Sequence, residues 1–144
     1  MGLTWSKRLS VGNETLDSEH RQILDLVDEV ERAIRSKNGV RFSETLNRLE
    51  HTTRKHFGNE ARIAHAVNYP FDDHHQEHLY ILNEMQAIKK ELTTYQGRWS
   101  ESVAEHYFQF LSTWAIEHID EDDMKMKALL ESFPYDFKPD GLIG

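Results

Sequence analysis

The sequence contains no cysteine, and that absence removes several kinds of chemistry. Disulfide frameworks, thiolate metal sites and thiol redox centres all need a sulfur that this chain does not supply. A closed structural zinc site built on thiolates is disfavoured for the same reason. Because a chain without cysteine suits a reducing compartment, we expect a cytoplasmic location.

Basic charge and long apolar runs are also scarce. Lys and Arg total 17 against 25 Asp and Glu, so the formal net charge is −8. An acidic protein repels phosphate backbones and anionic lipid headgroups, so we expect neither nucleic acid nor a membrane as a partner. No apolar run approaches the length of roughly eighteen residues that a membrane-spanning helix needs. The sequence does not identify a protein partner.

Proline is rare, with three residues in the chain, and apolar residues recur at helical spacing through most of it. Asp17 is predicted to cap the first helix and Gly39 to close it. Pro70 interrupts the second apolar stripe, and Ser100 is predicted to cap the fourth helix. The pattern predicts an all-α, up-down-up-down four-helix bundle in one domain, residues 1–144, with an extended arm at 1–16, the bundle over about 17–132 and a short tail at 133–144.

Several imidazoles and one carboxylate lie on the apolar stripes, where an unpaired polar group is costly. In the second and third helices, such residues are spaced four apart, so two ligand atoms can point to one place. The inward residues are His20, His56, Glu60, His74, His78 and His118. The other four histidines, His51, His65, His75 and His106, are predicted to lie on the surface.

Convergence of these residues favours a metal site over a set of structural histidines. A single histidine on an apolar face is more often a core residue with a hydrogen-bond partner, but here all four helices contribute one. Imidazole and carboxylate ligands suit iron, zinc, copper or nickel. Their number exceeds what one tetrahedral ion takes and fits two metals that share bridging carboxylates. The His-Glu-x-x-His motif of zinc proteases and the Glu-x-x-His motif of ferritins are both absent.

Four stretches of the sequence, together covering nearly the whole chain, resemble the hemerythrin family, in particular its single-domain bacterial members. They are "WSKRLSVGNETLDSEH", "HFGNEARIAHAVNYP", "HHQEHLYIL" and "WAIEHIDEDDMK". The family pattern is a histidine, then His-Phe-x-x-Glu, His-x-x-x-His and His-x-x-x-x-Asp on successive helices. In this sequence the pattern falls on His20, on His56 and Glu60, on His74 and His78, and on His118 and Asp123.

The resemblance implies a diiron site, bridged by an oxo or hydroxo group, that binds dioxygen reversibly and without catalytic turnover. It implies further that His74, His78 and His118 hold one iron. It assigns His20 and His56 to the other iron, which keeps an open position, and makes Glu60 and Asp123 the bridging carboxylates. An alternative within the same site is a diiron enzyme that reduces peroxide or nitric oxide.

Two positions in this alignment have a competitor next to them. His75 competes with His74, but only His74 has a histidine four residues later. On the fourth helix, ideal geometry places Asp122 about 40° from His118 and Asp123 about 140° away. The family spacing favours Asp123, and a π-type widening of the helix reconciles the two. We therefore predict Asp123, with Asp122 as the alternative.

Apolar residues next to the predicted ligands are expected to exclude water from a small ligand pocket. Phe57, Trp114 and Ile119 each lie beside a ligand or one turn from it, and we predict that they form its wall. The small side chain of Ala115 is expected to leave space for an incoming ligand.

Overall fold

The computed structural model describes residues 5–94 and 100–143, without the side chains of residues 92–94, 101 and 122. Within these ranges the chain forms four long helices and no strand, namely α1 (Glu14–Arg35), α2 (Gly39–Ala66), α3 (Asp72–Thr94) and α4 (Glu101–Glu117). The predicted all-α, up-down-up-down four-helix bundle is confirmed. The predicted end of the third helix, near "TYQGRWS", lies outside the described residues.

The last part of the bundle departs from regular α-helix. After α4, a π-helical segment covers His118–Asp122, a 3-10 segment covers Asp123–Met126, and a short helix, α5, covers Lys127–Leu130. In the part of the chain that the structure describes, no helix combines the length and apolar character needed to cross a membrane.

The start of α1 differs from the prediction. Asn13, not Asp17, is the N-cap, because its side-chain oxygen accepts a hydrogen bond from the Leu16 amide at 3.1 Å. Asp17 lies buried within the helix, where its carboxylate accepts hydrogen bonds from the Val11 amide and the Tyr135 hydroxyl. The predicted cap is therefore wrong, since Asp17 instead joins the N-terminal arm and the tail to α1.

The loop between α1 and α2 also corrects one prediction. Gly39 does not close α1 but is the first residue of α2, and the preceding Asn38 caps that helix. The left-handed residue in this loop is Lys37, with φ 56°. Two other predictions are confirmed, since α2 ends at Ala66 before Pro70, and the Ser100 hydroxyl caps α4.

The interior of the bundle contains two apolar clusters separated by polar residues. The large apolar cluster fills most of the bundle and includes Ile23, Leu46, Ile81, Met85 and Leu111. The small apolar cluster lies under the arm and the tail and consists of Val11, Leu16, Ile63, Ala64, Val67, Met126 and Leu130. Along each helix, the inward-facing histidines fall between residues of these two clusters or at their border.

Residues 133–143, the tail, fold back onto the start of α1. The Glu14 amide donates to the Tyr135 carbonyl at 2.8 Å, and the Asn13 side-chain amide donates to the Phe137 carbonyl at 3.1 Å. These bonds join the tail to the start of α1. The tail therefore covers the end of the bundle that contains the inward-facing histidines.

Candidate metal centre

Seven polar side chains form a layer between the two apolar clusters, and we call them the ligand layer. All seven are buried, although the imidazole and carboxylate groups are among the most costly to remove from water. They are His20 from α1, His56 and Glu60 from α2, His74 and His78 from α3, and His118 and Asp123 from the end of the fourth helix. The four histidines predicted for the surface, His51, His65, His75 and His106, are exposed.

Glu60 lies between imidazoles of two helices. Its Oε2 atom is 2.9 Å from His56 Nε2, and its Oε1 atom is 3.4 Å from His78 Nε2. Five residues of the layer offer ligand atoms that all lie within 4.8 Å of one another, namely His20, His56, Glu60, His118 and Asp123. Such spacing suits side chains that share a metal ion rather than side chains that only pack.

Asp123 divides its two oxygens in the same way. Its Oδ2 atom is 2.6 Å from His20 Nε2, and its Oδ1 atom is 3.6 Å from His74 Nε2. Each of the two carboxylates therefore faces one set of imidazoles with one oxygen and another set with the other. This is the arrangement that a carboxylate needs to bridge two metal ions.

His118 belongs by its Nε2 atom to the set of His20 and His56, because that atom is 2.9 Å from Asp123 Oδ2 and 3.4 Å from Glu60 Oε2, while its ring also lies near His78. Its ring centroid is 5.2 Å from that of His56 and 5.6 Å from that of His78. The Nε2 atoms of His118 and His56 are only 3.0 Å apart, so both ring nitrogens point into the same space. A proton or a metal cation between them is required, because two imidazole lone pairs repel at this distance.

The π-helical segment explains how Asp123 reaches the layer. The predicted π-type widening is present at His118–Asp122, and it adds a residue to the turn. Asp123 is fully buried, and its Oδ2 atom lies 2.9 Å from His118 Nε2. The side chain of Asp122 lies outside the described residues.

Buried polar atoms without a hydrogen-bond partner are concentrated in this layer. Among the described residues nine such side-chain atoms occur, and six of them belong to the ligand layer. They are His20 Nδ1, Glu60 Oε1 and Oε2, His78 Nε2, His118 Nδ1 and Asp123 Oδ1. His20 Nδ1 and His118 Nδ1 are the outer nitrogens of rings whose Nε2 atoms face the layer. Buried polar groups in native proteins almost always have partners, so the other four atoms indicate a group that the layer is built to hold.

The electrostatics of the layer point to a cation. Burial alone would raise the pKa of both carboxyl groups, but the imidazoles outweigh it and lower the pKa of Glu60 to about 2 and that of Asp123 well below its usual value. Burial would lower the pKa of His118, but the two carboxylates raise it to about 10. For His20 and His78 burial prevails and lowers the pKa. The fixed negative charge therefore needs either bound protons or a metal cation.

Two residues that were not predicted as ligands support His56. Its Nδ1–H group donates to Glu19 Oε1 at 2.9 Å, and the Asn59 side-chain amide donates to Glu19 Oε2 at 2.6 Å. The bond to Glu19 places the proton on Nδ1 and leaves the Nε2 lone pair facing the layer. Glu19 directly precedes His20, and Asn59 directly precedes Glu60. This position next to a predicted ligand is the only sequence signal that could have identified them.

Aromatic rings cover one side of the layer. The ring of Phe57 stacks on His78 with 3.6 Å between centroids and 1° between planes, and Trp114 stacks on His118 at 5.6 Å. Ile119 and Ala115 are fully buried beside them. Of the residues predicted to form the pocket wall, Phe57 and Trp114 thus lie against the ligand layer, where they reduce the access of water.

Comparison with known proteins agrees with this geometry. Residues 11–130 match the family model described as "Hemerythrin HHE cation binding domain". The chain is 24% identical over 148 residues to a bacteriohemerythrin of Stenotrophomonas maltophilia, with 99% of this chain and 93% of that protein covered. It is 25% identical over 123 residues to a bacteriohemerythrin of Pseudomonas aeruginosa, with 84% and 76% covered.

Proposed function

The chain belongs to the hemerythrin family, and on that premise we propose that it binds dioxygen reversibly at a non-haem diiron centre. The observation that carries the proposal is the pair of buried carboxylates, Glu60 and Asp123, each of which faces two sets of imidazoles. One tetrahedral ion does not need two such carboxylates together with five imidazoles. Two ions that share them use the whole layer.

We further propose the division of ligands that the family resemblance implies. His74, His78 and His118 hold one iron, His20 and His56 hold the other, and Glu60 and Asp123 bridge the two. Support for the two bridges comes from the oxygens of both carboxylates, which are directed to both sides. The assignment of His118 to the iron of His74 and His78 rests on the resemblance alone, because its Nε2 atom faces the same carboxylate oxygens as that of His56. A diiron centre supplies, when bound, reversible two-electron exchange with dioxygen.

The protein contributes binding, orientation and the exclusion of water. Neutral imidazoles and ionised carboxylates form the ligand set, and the lowered pKa values of Glu60 and Asp123 keep those two groups ionised near neutral pH. Phe57 and Trp114 place apolar surface against His78 and His118. A dry pocket of this kind limits the entry of water and protons, which favours release of unchanged dioxygen over its reduction.

We propose a carrier, store or sensor rather than an enzyme, in a cytoplasmic setting that suits a chain without cysteine. The alternative, reduction of peroxide or nitric oxide, uses the same residues and differs in what happens after binding. The two functions therefore differ in reversibility and not in composition of the site.

The deciding experiment loads the protein with ferrous iron under argon and exposes it to repeated cycles of air and argon in a spectrometer. Metal analysis should give two irons per chain, and the visible spectrum should appear in air and disappear under argon over several cycles. The zinc-loaded protein is the control, because zinc has no redox chemistry and should show no change. One zinc per chain after growth in iron-rich medium, or a single oxidation with formation of product, would overturn the proposal.

A further inference from the structure

A chain of hydrogen bonds links the tail to one residue of the ligand layer. We propose that Glu19 and Asn59 are positioning residues through which the backbone of Ile143 controls the orientation of His56. The inference rests on the proposed function, since His56 is taken as a metal ligand, and it assigns to the tail a role in the outer shell of the metal site.

The contacts that form this chain are short and connect three distant segments. The Ile143 amide donates to Asn59 Oδ1 at 2.7 Å, and the Asn59 side-chain amide donates to the Ile143 carbonyl at 3.0 Å. The same Asn59 amide donates to Glu19 Oε2 at 2.6 Å, and His56 Nδ1–H donates to Glu19 Oε1 at 2.9 Å. Each member thus holds the next, from the tail to the imidazole.

The polarity of these bonds explains why a carboxylate and an amide occupy these positions. The Glu19 carboxylate accepts two hydrogen bonds, so both of its oxygens must be acceptors. A glutamine would offer one acceptor and one donor. Asn59 must donate to Glu19 and also accept from the Ile143 amide, so an aspartate would fail in the first task. Each of the two residues therefore needs the side-chain group that it has.

Burial makes these bonds consequential. Asn59 is fully buried and Glu19 is 3% exposed, so neither can exchange a lost partner for water without a change in the surrounding structure. A cleft of about 370 Å³ is lined by Glu19 and also by Leu142 and Ile143 of the tail. Displacement of the tail would open this cleft and let water compete for the Glu19 carboxylate.

A turn at Gly141 brings the tail to Asn59. Gly141 has φ 90°, a backbone conformation that favours glycine, and a Cβ atom there would lie 2.7 Å from the guanidinium of Arg62. Arg62 follows Asn59 on α2, so the close approach of the turn occurs beside the bonded pair. The glycine thus permits the direction that the tail takes over α2.

The first test exchanges the hydrogen-bonding groups of the pair. Glu19→Gln places a donor opposite the Asn59 amide, and Asn59→Asp places an acceptor opposite Glu19. Each single variant should release iron to a chelator faster than the wild type, since the loss of an outer partner of a metal ligand typically weakens metal affinity on the order of 10- to 100-fold. The double variant, Glu19→Gln with Asn59→Asp, restores a donor opposite an acceptor between the two side chains but not the bond to the Ile143 carbonyl, so it should recover part of the loss.

A purely structural role would not give this rescue together with a spectral change. The visible spectrum of each variant, taken per bound iron, should shift in the single variants and return toward that of the wild type in the double variant. Circular dichroism of the metal-free proteins establishes that all four are equally folded. If the singles release iron at the wild-type rate, or the double variant is no better than the worse single, the chain of bonds does not position His56.

The second test addresses the tail. Ile143→Pro removes the amide hydrogen that Asn59 accepts, whereas Ile143→Ala keeps it and removes only the side chain. The difference between the two variants measures the contribution of the backbone bond, and iron release should be at least several-fold faster for the proline variant. Equal rates for the two would overturn the role of the tail.

Cobalt(II) separates this inference from the proposed function. The visible spectrum of bound cobalt(II) reports ligand geometry and requires no reaction with dioxygen. The same variants can therefore be compared even if the native metal of this protein is not iron. A cobalt spectrum that changes in the single variants and recovers in the double variant supports the positioning role even if two irons are not found. An unchanged cobalt spectrum in all variants contradicts it.

Discussion

The large apolar cluster and the ligand layer occupy the same bundle but are stabilised in different ways. Leu46, Met85 and Leu111 in the cluster are fully buried, and packing alone satisfies such side chains. Glu60 and Asp123 in the layer are equally buried, yet they have oxygen atoms without hydrogen-bond partners. The cluster is complete as a protein core, whereas the layer is complete only with a cation.

This difference predicts that folding and metal binding can be separated by mutation. Apolar burial is non-directional and depends on the area removed from water, so many side chains share it. Metal binding depends on a few atoms in fixed directions, so single side chains determine it. Damage to the cluster should therefore lower stability, and damage to the layer should remove the metal.

The largest expected effect is the loss of the metal centre in Asp123→Ala. Removal of this carboxylate takes away a proposed bridge and the partner of His20, so the variant should lose the oxo-bridged spectrum and most of its iron. Iron analysis and the visible spectrum of the purified protein measure both. Asp120→Ala is the matched control, because Asp120 is exposed and its only described ion pair, with Arg8, spans 4.0 Å. Full iron content in the Asp123 variant would contradict the bridging role.

Leu111→Ala should have the opposite profile. The side chain is fully buried in the large apolar cluster, so its truncation leaves a cavity and should lower the free energy of unfolding by about 2–5 kcal/mol. Two irons per folded chain should remain, since no layer residue is changed. Denaturant unfolding of the metal-free protein and iron analysis of the holoprotein test the two parts. A loss of iron from folded protein would show that the two regions are not separable.

The pH dependence of the metal-free protein should run against that of iron binding. Burial lowers the pKa of each imidazole, but the nearby carboxylates outweigh burial for His56, His74 and His118. The pKa values of these three histidines are raised, and that of His118 is raised to about 10. A histidine with a raised pKa stabilises the fold below its ordinary pKa of 6.5 and loses that contribution as the pH rises toward its value in the folded protein. Stability without metal should therefore fall as the pH rises above 6.5, whereas iron affinity should increase because neutral imidazole is the ligand.

Unfolding of the chelated protein and competition for iron, each at about pH 6 and about pH 9, measure the two trends. On the acid side, Glu60 contributes stability above its ordinary pKa of 4.5 and loses it as the pH falls toward about 2. The stability of the metal-free protein should thus also decline below pH 4.5. If stability without metal and iron affinity rise together above neutrality, protons do not occupy the layer in place of the metal.

The smallest expected effect concerns the border between the two regions. Ala115 is fully buried in the large apolar cluster beside Trp114. Ala115→Leu should fill the space next to the ligand layer, at a cost of about 1–3 kcal/mol for overpacking. Iron content should be unchanged, while azide binding should slow, because the larger side chain fills the path of the ligand, and the autoxidation rate should change. Unchanged rates for both would show that Ala115 does not line the ligand pocket.

Helical spacing and residue chemistry were enough to predict the bundle and the group of residues at its centre. The stripes containing His56 and Glu60, or His74 and His78, are local patterns, and a helix aligns such residues without help from the rest of the fold. The helix starts were less predictable. Asp17 and Asn13 are both good caps, and only the contacts of Asp17 with the arm and the tail determine which of them begins α1.

The sequence by itself determined that four amphipathic helices would place imidazoles and carboxylates on their inward faces, because periodicity and burial are properties of each segment. Only the tertiary structure decided how these groups are shared. Ideal helix geometry favoured Asp122, whereas the π-helical segment at the end of α4 is followed by Asp123, whose Oδ2 atom lies 2.9 Å from His118 Nε2. The support of His56 by Glu19, Asn59 and the Ile143 backbone joins segments from both ends of the chain. No local pattern encodes such a contact, since it exists only after the helices have packed.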